Sequence, residues 1–309
     1  MVDELYHVDS GRERLLNHRV STMRPLISAM LCCGALLSAQ EQIPRFSSRV
    51  QLVEIYATVT DASGEPVTGL RQSNFEVYEN NTRQDISTFA AGEFPVTVAL
   101  GVDRSWSMAG EPLRLAKQAS QSFLRALRPD DRSMVVAINN DAEVIAPLSS
   151  DRTAQARAVE RLDPWSTTAL YDAVIATLDR LEPENGRRAL VVFSDGTDRY
   201  SHATAAEVMA RSRRSTALIY PIAFGKQRPP FLAELASVTG GRSFLLKDAR
   251  ELDATLATIA RELRFQYLLG YAPMTSFEPG THEWRSIRVA LRNAPPGVRI
   301  RARDGYTTD

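Results

Sequence analysis

The stretch VDRSWSM, residues 102–108, sets Asp103, Ser105 and Ser107 at alternate positions directly after the apolar run PVTVALG. One carboxylate and two hydroxyls at that spacing suit a turn, a helix cap, a nucleophile site or part of a metal cage. Two further residues bear on the choice. Asp195 follows the run LVVFS, and Thr168 lies in WSTTALYDAV, residues 165–174, where a loop runs into a helix. In an open parallel sheet, ligands bind beyond the carboxyl ends of strands, near the point where strand order reverses. Asp103 and Asp195 both stand at such ends. Together with Ser105, Ser107 and Thr168 they form an all-oxygen set with two carboxylates and no His or Cys. That set suits a hard cation, Mg²⁺ first and Mn²⁺ or Ca²⁺ next.

The elements that must position these residues change character along the chain. VEIYATVT, residues 53–60, alternates apolar and polar side chains with the period of a half-buried strand. NFEVYENNTRQDISTF reads as two strands around an Asn80-Asn81 turn, so the chain is all-β to about residue 90. From residue 95, buried strands (PVTVALGVD, SMVVAIN, RALVVFSDG, ALIYPIAFG) alternate with helical spacing over 112–127, 151–162, 169–181, 204–214, 231–238 and 249–264. Such alternation predicts a doubly wound, mostly parallel sheet with helices on both faces. After residue 265 the pattern reverts to β, in IRVALR and VRIRAR. Each β flank is too short to stand alone. The expected organisation is therefore an α/β domain at 94–264 inserted in a small β-sandwich-like domain made by 49–93 and 265–309 together.

The chain of 309 residues carries 37 basic and 37 acidic side chains, with no basic stripe, which speaks against nucleic acid as a partner. Residues 26–39, LISAMLCCGALLSA, form an apolar stretch after Arg24 that ends in small residues and fits a secretory signal cleaved after Ala39. Fourteen residues are short for a bilayer span, and no membrane span is expected in the mature chain. Residues 1–22 are charged, which is unusual for a signal and makes Met23 a candidate start; residues 40–48 read as a linker. Both cysteines, Cys32 and Cys33, fall inside the signal, and Met30-Leu31 do not supply the small residues a lipoprotein site wants. The mature chain would hold no thiol and would be secreted or periplasmic.

VDRSWSM, STTALYDA and VVFSDGTD resemble the three metal-site segments of the von Willebrand factor type A (VWA) fold. The resemblance covers about 94–264, and the flanks, with TVTDASGEPVTGL, YLLGY and ARDGY, are similar to a bacterial secreted VWA-related family. It implies a metal-ion-dependent adhesion site of Asp103, Ser105, Ser107, Thr168 and Asp195. A divalent cation there would take a carboxylate from a partner protein presenting Asp or Glu. Trp106 stands where the family usually has glycine, Arg104 adds a cation beside the site, and Ser166-Thr167 replace a glycine pair. Trp106, Arg104 and Trp165 are candidate partner contacts, with Arg104 expected to point away from the metal.

Plainer readings exist for each feature. Asp195-Gly196 alone is a common turn, Asp172 and Asp198 read as capping or surface residues, and Trp106 and Trp165 could pack under their own loops. The Arg-rich faces of the last strands read as solvated edges. His202 is a lone surface histidine, and no nucleophile elbow or phosphate loop occurs, so no enzyme is expected. A structural envelope role with a vestigial or internally occupied metal site is the alternative, and a metal-assisted hydrolase the third reading. Expressed with its own N-terminus, the exported protein should begin near Gln40 by intact mass. Residues 1–39 still attached to the exported form would contradict the signal reading.

Overall fold

The sequence expectations for the signal, the cysteines and the linker fall outside the residues described by the computed structural model, which are 52–308 apart from 225, 247 and 276–280. The chain divides into two units, Met1–Ser48 and Arg49–Asp309, and the second is described here. Its first strand, β1 (Val53–Thr60), points Val53, Ile55, Ala57 and Val59 into one core, as alternation dictates. The opposite face is covered as well, contrary to a half-buried strand. Tyr56 joins the core of the α/β part, and Thr58 accepts a hydrogen bond from Gln266 Nε2 at 3.2 Å. A hairpin follows, with β2 (Phe75–Glu79) and β3 (Thr82–Gln84) joined through Asn80 and Asn81. Both turn residues have positive φ, 46° and 64°, the handedness that suits the twist of a two-residue hairpin. The remaining apolar residues of that stretch form a separate strand, β4 (Ile86–Ala90), rather than extending β3.

The α/β part is built on a six-stranded sheet. Its strands are β5 (Val96–Asp103), β6 (Arg132–Ile138), β7 (Ala142–Ser149), β8 (Arg187–Ser194), β9 (Leu218–Phe224) and β10 (Phe244–Leu246), in the spatial order β10-β9-β8-β5-β6-β7. β5 is buried at every position and pairs in parallel with both β6 and β8. The chain leaves β5 to one side and later returns on the other, so strand order reverses at this strand. Val98, Leu100 and Val102 face α1 (Glu111–Ala126), α2 (Arg152–Glu160) and α6 (Leu252–Arg264). Ala99, with Leu190 and Val192, faces α3 (Leu170–Leu181), α4 (Ala205–Arg214) and α5 (Pro230–Thr239). Two strands go beyond the sequence reading. β7 is an antiparallel edge with register shifts against β6 and exposed Glu143 and Val144, and the alternation it offers is broken; its Pro147 is tolerable because the strand is at an edge. β10 is only three residues long.

The last strands are β11 (Tyr267–Tyr271), β12 (Trp284–Leu291), β13 (Arg299–Arg301) and β14 (Gly305–Thr307). They complete two four-stranded sheets, β13-β1-β11-β4 and β14-β12-β2-β3, with an apolar core between them that includes Ile55, Val77, Leu269 and Ile287. One buried polar cluster crosses this core. Glu79 Oε1 accepts from Arg285 Nη1 at 3.0 Å, and Glu79 Oε2 accepts from the Tyr271 and Tyr306 hydroxyls at 2.6 and 2.8 Å. Burial, with Glu79 at hand, raises both phenols above their ordinary value. Truncating Glu79 would leave two buried phenols without their acceptor and take one partner from Arg285, which keeps Thr275 O and Glu283. Glu79→Ala should lower unfolding free energy by about 3–5 kcal/mol in urea titrations, with far less change for the exposed Glu65→Ala.

Candidate metal centre

Three loops meet at the carboxyl end of β5. The first begins at Asp103, which has no exposed surface. Arg104 N donates to Ile138 O on the neighbouring strand at 2.9 Å, and Ser105 N folds back to donate to Asp103 Oδ1 at 2.9 Å. Met108, fully buried, pins the single turn Trp106–Met108, and Met108 N donates to Ser105 O at 2.9 Å. This turn brings Ser105 Oγ and Ser107 Oγ to 3.1 Å of each other, with Ser105 buried and Ser107 exposed.

The second loop crosses the first. Trp165 N donates to Arg104 O at 2.7 Å and Trp106 N to Ser166 O at 3.1 Å, so the backbones of the two loops are laced together. Ser166 has φ 62°, in the left-handed region that glycine adopts without cost. Serine thus holds the backbone turn that the missing glycine pair put in question. Ala169 N then donates to Asn139 O at 2.6 Å, and Thr168 is buried with no hydrogen bond from its hydroxyl to any described residue.

The third loop follows β8. Ser194 Oγ donates to Asp103 Oδ2 at 2.7 Å and accepts from Gly196 N at 3.0 Å. Asp195, half-buried, is turned by an Oδ1 contact with Thr197 N at 2.8 Å. Gly196 has φ 80°, and a Cβ there would stand 2.6 Å from Pro229 Cγ, so only glycine fits after Asp195. Arg199 N and Tyr200 N both donate to Thr168 O at 3.0 Å, which closes the ring of loops.

The electrostatics are one-sided. Burial pushes the Asp103 carboxyl up to about 6 and the nearby charge of Asp195 adds to the rise, against the hydrogen bonds from Ser105 and Ser194. No Lys or Arg pairs with either carboxylate among the described residues. The two carboxylates therefore stand without a side-chain counter-charge among the described residues. In an octahedral Mg²⁺ site with bonds near 2.1 Å, adjacent oxygens lie about 3 Å apart, and the Ser105–Ser107 spacing of 3.1 Å is compatible with that. The donors here are hydroxyls and two carboxylates, and among the described residues no three His, Cys, Asp or Glu are grouped so as to hold a metal ion. That chemistry fits a hard ion rather than a Cys/His zinc site.

Asp103, Ser105 and Ser107 thus share one loop, Ser194 ties that loop to the segment of Asp195, and the backbone of Thr168 is bonded to the same segment. Of the candidate contact residues, Trp106 and Trp165 are 64% and 58% exposed. Arg104 is half-buried, and its Nε has no hydrogen-bond partner among the described residues. Sequence reasoning missed Ser194, Asn139 and Tyr200. Ser194 looks like one more strand residue, and nothing local says that its hydroxyl meets a carboxylate 91 positions earlier. Asp198 and Asp172 do cap: Asp198 Oδ1 accepts from Tyr171 N and Ser201 Oγ, while Asp172 accepts from His202 N and Ala203 N. The His202 side chain is exposed, with its Nδ1 3.2 Å from Asp172 Oδ2.

Residues 98–197 match the von Willebrand factor type A domain family. A solved von Willebrand factor type A protein from Catenulispora acidiphila aligns at 16% identity over 82% of this chain and 73% of that chain, with a TM-score of 0.50. Proximal thread matrix protein 1 from the mussel byssus, solved with a zinc-occupied MIDAS motif, aligns at 17% identity over 60% of this chain and 49% of that chain, with a TM-score of 0.48. An uncharacterized Synechocystis protein, sll0103, is 35% identical over 82 residues, 26% of this chain. The match spans 20% of the length of that curated relative.

The left-handed serine makes a measurable difference. Ser166→Gly should raise unfolding free energy or leave it unchanged, by up to about 1 kcal/mol, whereas Ser166→Val should lower it by more. Chemical denaturation of the two variants checks this; equal stability for both would mean that the loop relaxes out of the left-handed conformation.

Proposed function

Because residues 98–197 match the von Willebrand factor type A domain family, we propose that this chain is a binding module that grips a partner protein's carboxylate through a divalent cation. Asp103, Ser105, Ser107, Thr168 and Asp195 would hold that cation, Mg²⁺ before Mn²⁺ or Ca²⁺. The observation that carries the reading is Asp103: a fully buried carboxylate, both oxygens oriented by hydrogen bonds, beside Asp195 and without a cationic side chain. A bound cation supplies charge compensation to this pair and an electrophilic contact for an acidic side chain. The chain's own residues do the rest. Ser105 and Ser107 present adjacent hydroxyls, Ser194 keeps Asp103 turned inward, and Gly196 allows the bend that brings Asp195 round.

Trp106 and Trp165 rim the site, with the Arg104 backbone between their loops, and offer a partner apolar contact around the acid it inserts. Secretion or a periplasmic location is supported by residues 26–39. Among the described residues, no helix is long and apolar enough to cross a membrane.

Calorimetric titration of Mg²⁺ and Mn²⁺ tests the site. Asp103→Ala should weaken binding by roughly ten- to a hundredfold, the loss of one charge-assisted contact. Ser105→Ala and Thr168→Ala should weaken it less, because water can replace a neutral hydroxyl, and Arg104→Ala should not weaken it. Wild-type affinity in Asp103→Ala, with folding intact by circular dichroism, would sink the reading. Pull-down from an envelope fraction with Mg²⁺ against EDTA should recover a partner only when metal is present.

A further inference from the structure

The outer face of the β14-β12-β2-β3 sheet carries a cluster of arginines that the metal centre does not use. Register places them. Arg288 of β12 stands opposite Tyr78 of β2, and Tyr78 stands opposite Arg83 of β3, so the three side chains form one row across three strands. Phe75, Val77 and Glu79 of β2 turn into the core, which puts Glu76 on the outer face beside Tyr78. Arg292 follows directly on the end of β12.

Contacts tie the row together. The Arg288 guanidinium stacks 3.8 Å from the centre of the Tyr78 ring, and the Tyr78 hydroxyl donates to Glu76 Oε2 at 3.0 Å. Arg292 Nε donates to Glu76 Oε1 at 2.9 Å. The hydrogen bonds from Tyr78 and Arg292, with the charge of Arg83 nearby, hold the Glu76 carboxyl below its ordinary value. Three guanidiniums thus gather round one carboxylate. Arg83 and Arg288 are exposed and form no ion pair among the described residues, and Arg292 gives Glu76 only its Nε. Arg83 and Arg292 also line one cleft of about 670 Å³, together with Arg71, Phe75 and Ile86 and a single acid, Asp85.

The face is short of anions, and its cations are already ordered. Stacking fixes the Arg288 fork and Glu76 fixes Arg292, so little side-chain freedom is left to lose on binding. Arg and Tyr are the residue types that anchor protein–protein interfaces. Glu76 itself shows what the cluster receives, a carboxylate held by a guanidinium and a phenol. A bilayer is a poorer match, because headgroups are held by cations spread over a wide area or beside inserted apolar side chains. The exposed aromatic on this face of β12, Trp284, is stacked against Arg213 instead. We propose that this face docks an acidic segment of a partner protein, whose carboxylates take the free edges of Arg83, Arg288 and Arg292 around Glu76. The sequence reading leaves the arginines of β12 on a solvated face; register, stacking and a shared glutamate make them a cluster. The proposal does not rest on the metal centre.

The test is calorimetry on the full chain with hexaglutamate, a serine hexapeptide as neutral control, and phosphatidylglycerol vesicles. EDTA is present throughout, so that no carboxylate is drawn to the metal centre. Hexaglutamate should bind and the serine peptide should not, with affinity falling as salt is raised. Combining Arg83→Gln with Arg292→Gln should weaken hexaglutamate by roughly tenfold or more, with circular dichroism unchanged. Glu76→Gln should tighten it by roughly threefold, since the carboxylate that competes for Arg292 is gone. Asp103→Ala, and Arg157→Gln on the exposed side of α2, should bind as the parent does. No heat with hexaglutamate, unchanged affinity in the double variant, weaker binding in Glu76→Gln, loss of binding in Asp103→Ala, or tighter binding to the vesicles than to the peptide would overturn the proposal.

Discussion

A carboxylate with no exposed surface, and with no basic side chain paired with it among the described residues, is the constraint around which the upper edge of this molecule is arranged. Asp103 closes the central strand, where both faces of the sheet are covered, so water cannot stabilise its charge. The surroundings answer with polar contacts that each need a separate part of the chain. Ser105 must fold back over the strand end, and Ser194 must sit across the β5–β8 ladder. The reversal of strand order at β5 makes room for those loops to converge there. The hydrogen bonds offset only part of the cost, since the group still titrates well above an ordinary aspartate.

Chemistry written at short range was legible in the sequence. The alternate oxygens of residues 103–107 survive as a local turn, and the long apolar runs became central strands because helices on both sides leave them no solvent face. What escaped depends on contacts made across the fold. Ser194 acquires its role from a strand 91 positions away, and Asn139 contributes a backbone oxygen, which no side-chain pattern records. β1 shows the same limit, because its Thr and Tyr positions look solvated until the α/β part covers them. Ser166 is the converse case: a residue type that argued against a glycine-like turn adopts it, held by neighbours that outweigh its preference.

The β flanks are held by a different device. Glu79, Arg285 and Tyr306 come from three strands of one sheet, and the hydrogen bond from Tyr271 to Glu79 crosses to them from the other. An apolar interface tolerates sliding, whereas a carboxylate that must meet one guanidinium and two phenols tolerates very little. Register between strands far apart in sequence is thereby restricted to one arrangement.

The pairing of β1 with β11 also has a temporal side. Val53 finds its ladder partner Tyr271 more than two hundred positions later. During synthesis β1 therefore emerges with an open edge and stays so while the whole α/β part is made. An open apolar edge is the feature that invites pairing with other chains. Local contacts within the intervening sheet and helices form at lower entropic cost and bring the distant ends together, shortening the loop that remains to be closed. The interval between the appearance of β1 and the arrival of β11 is thus when the nascent chain is most exposed to aggregation and proteolysis, and when a chaperone would have most to protect.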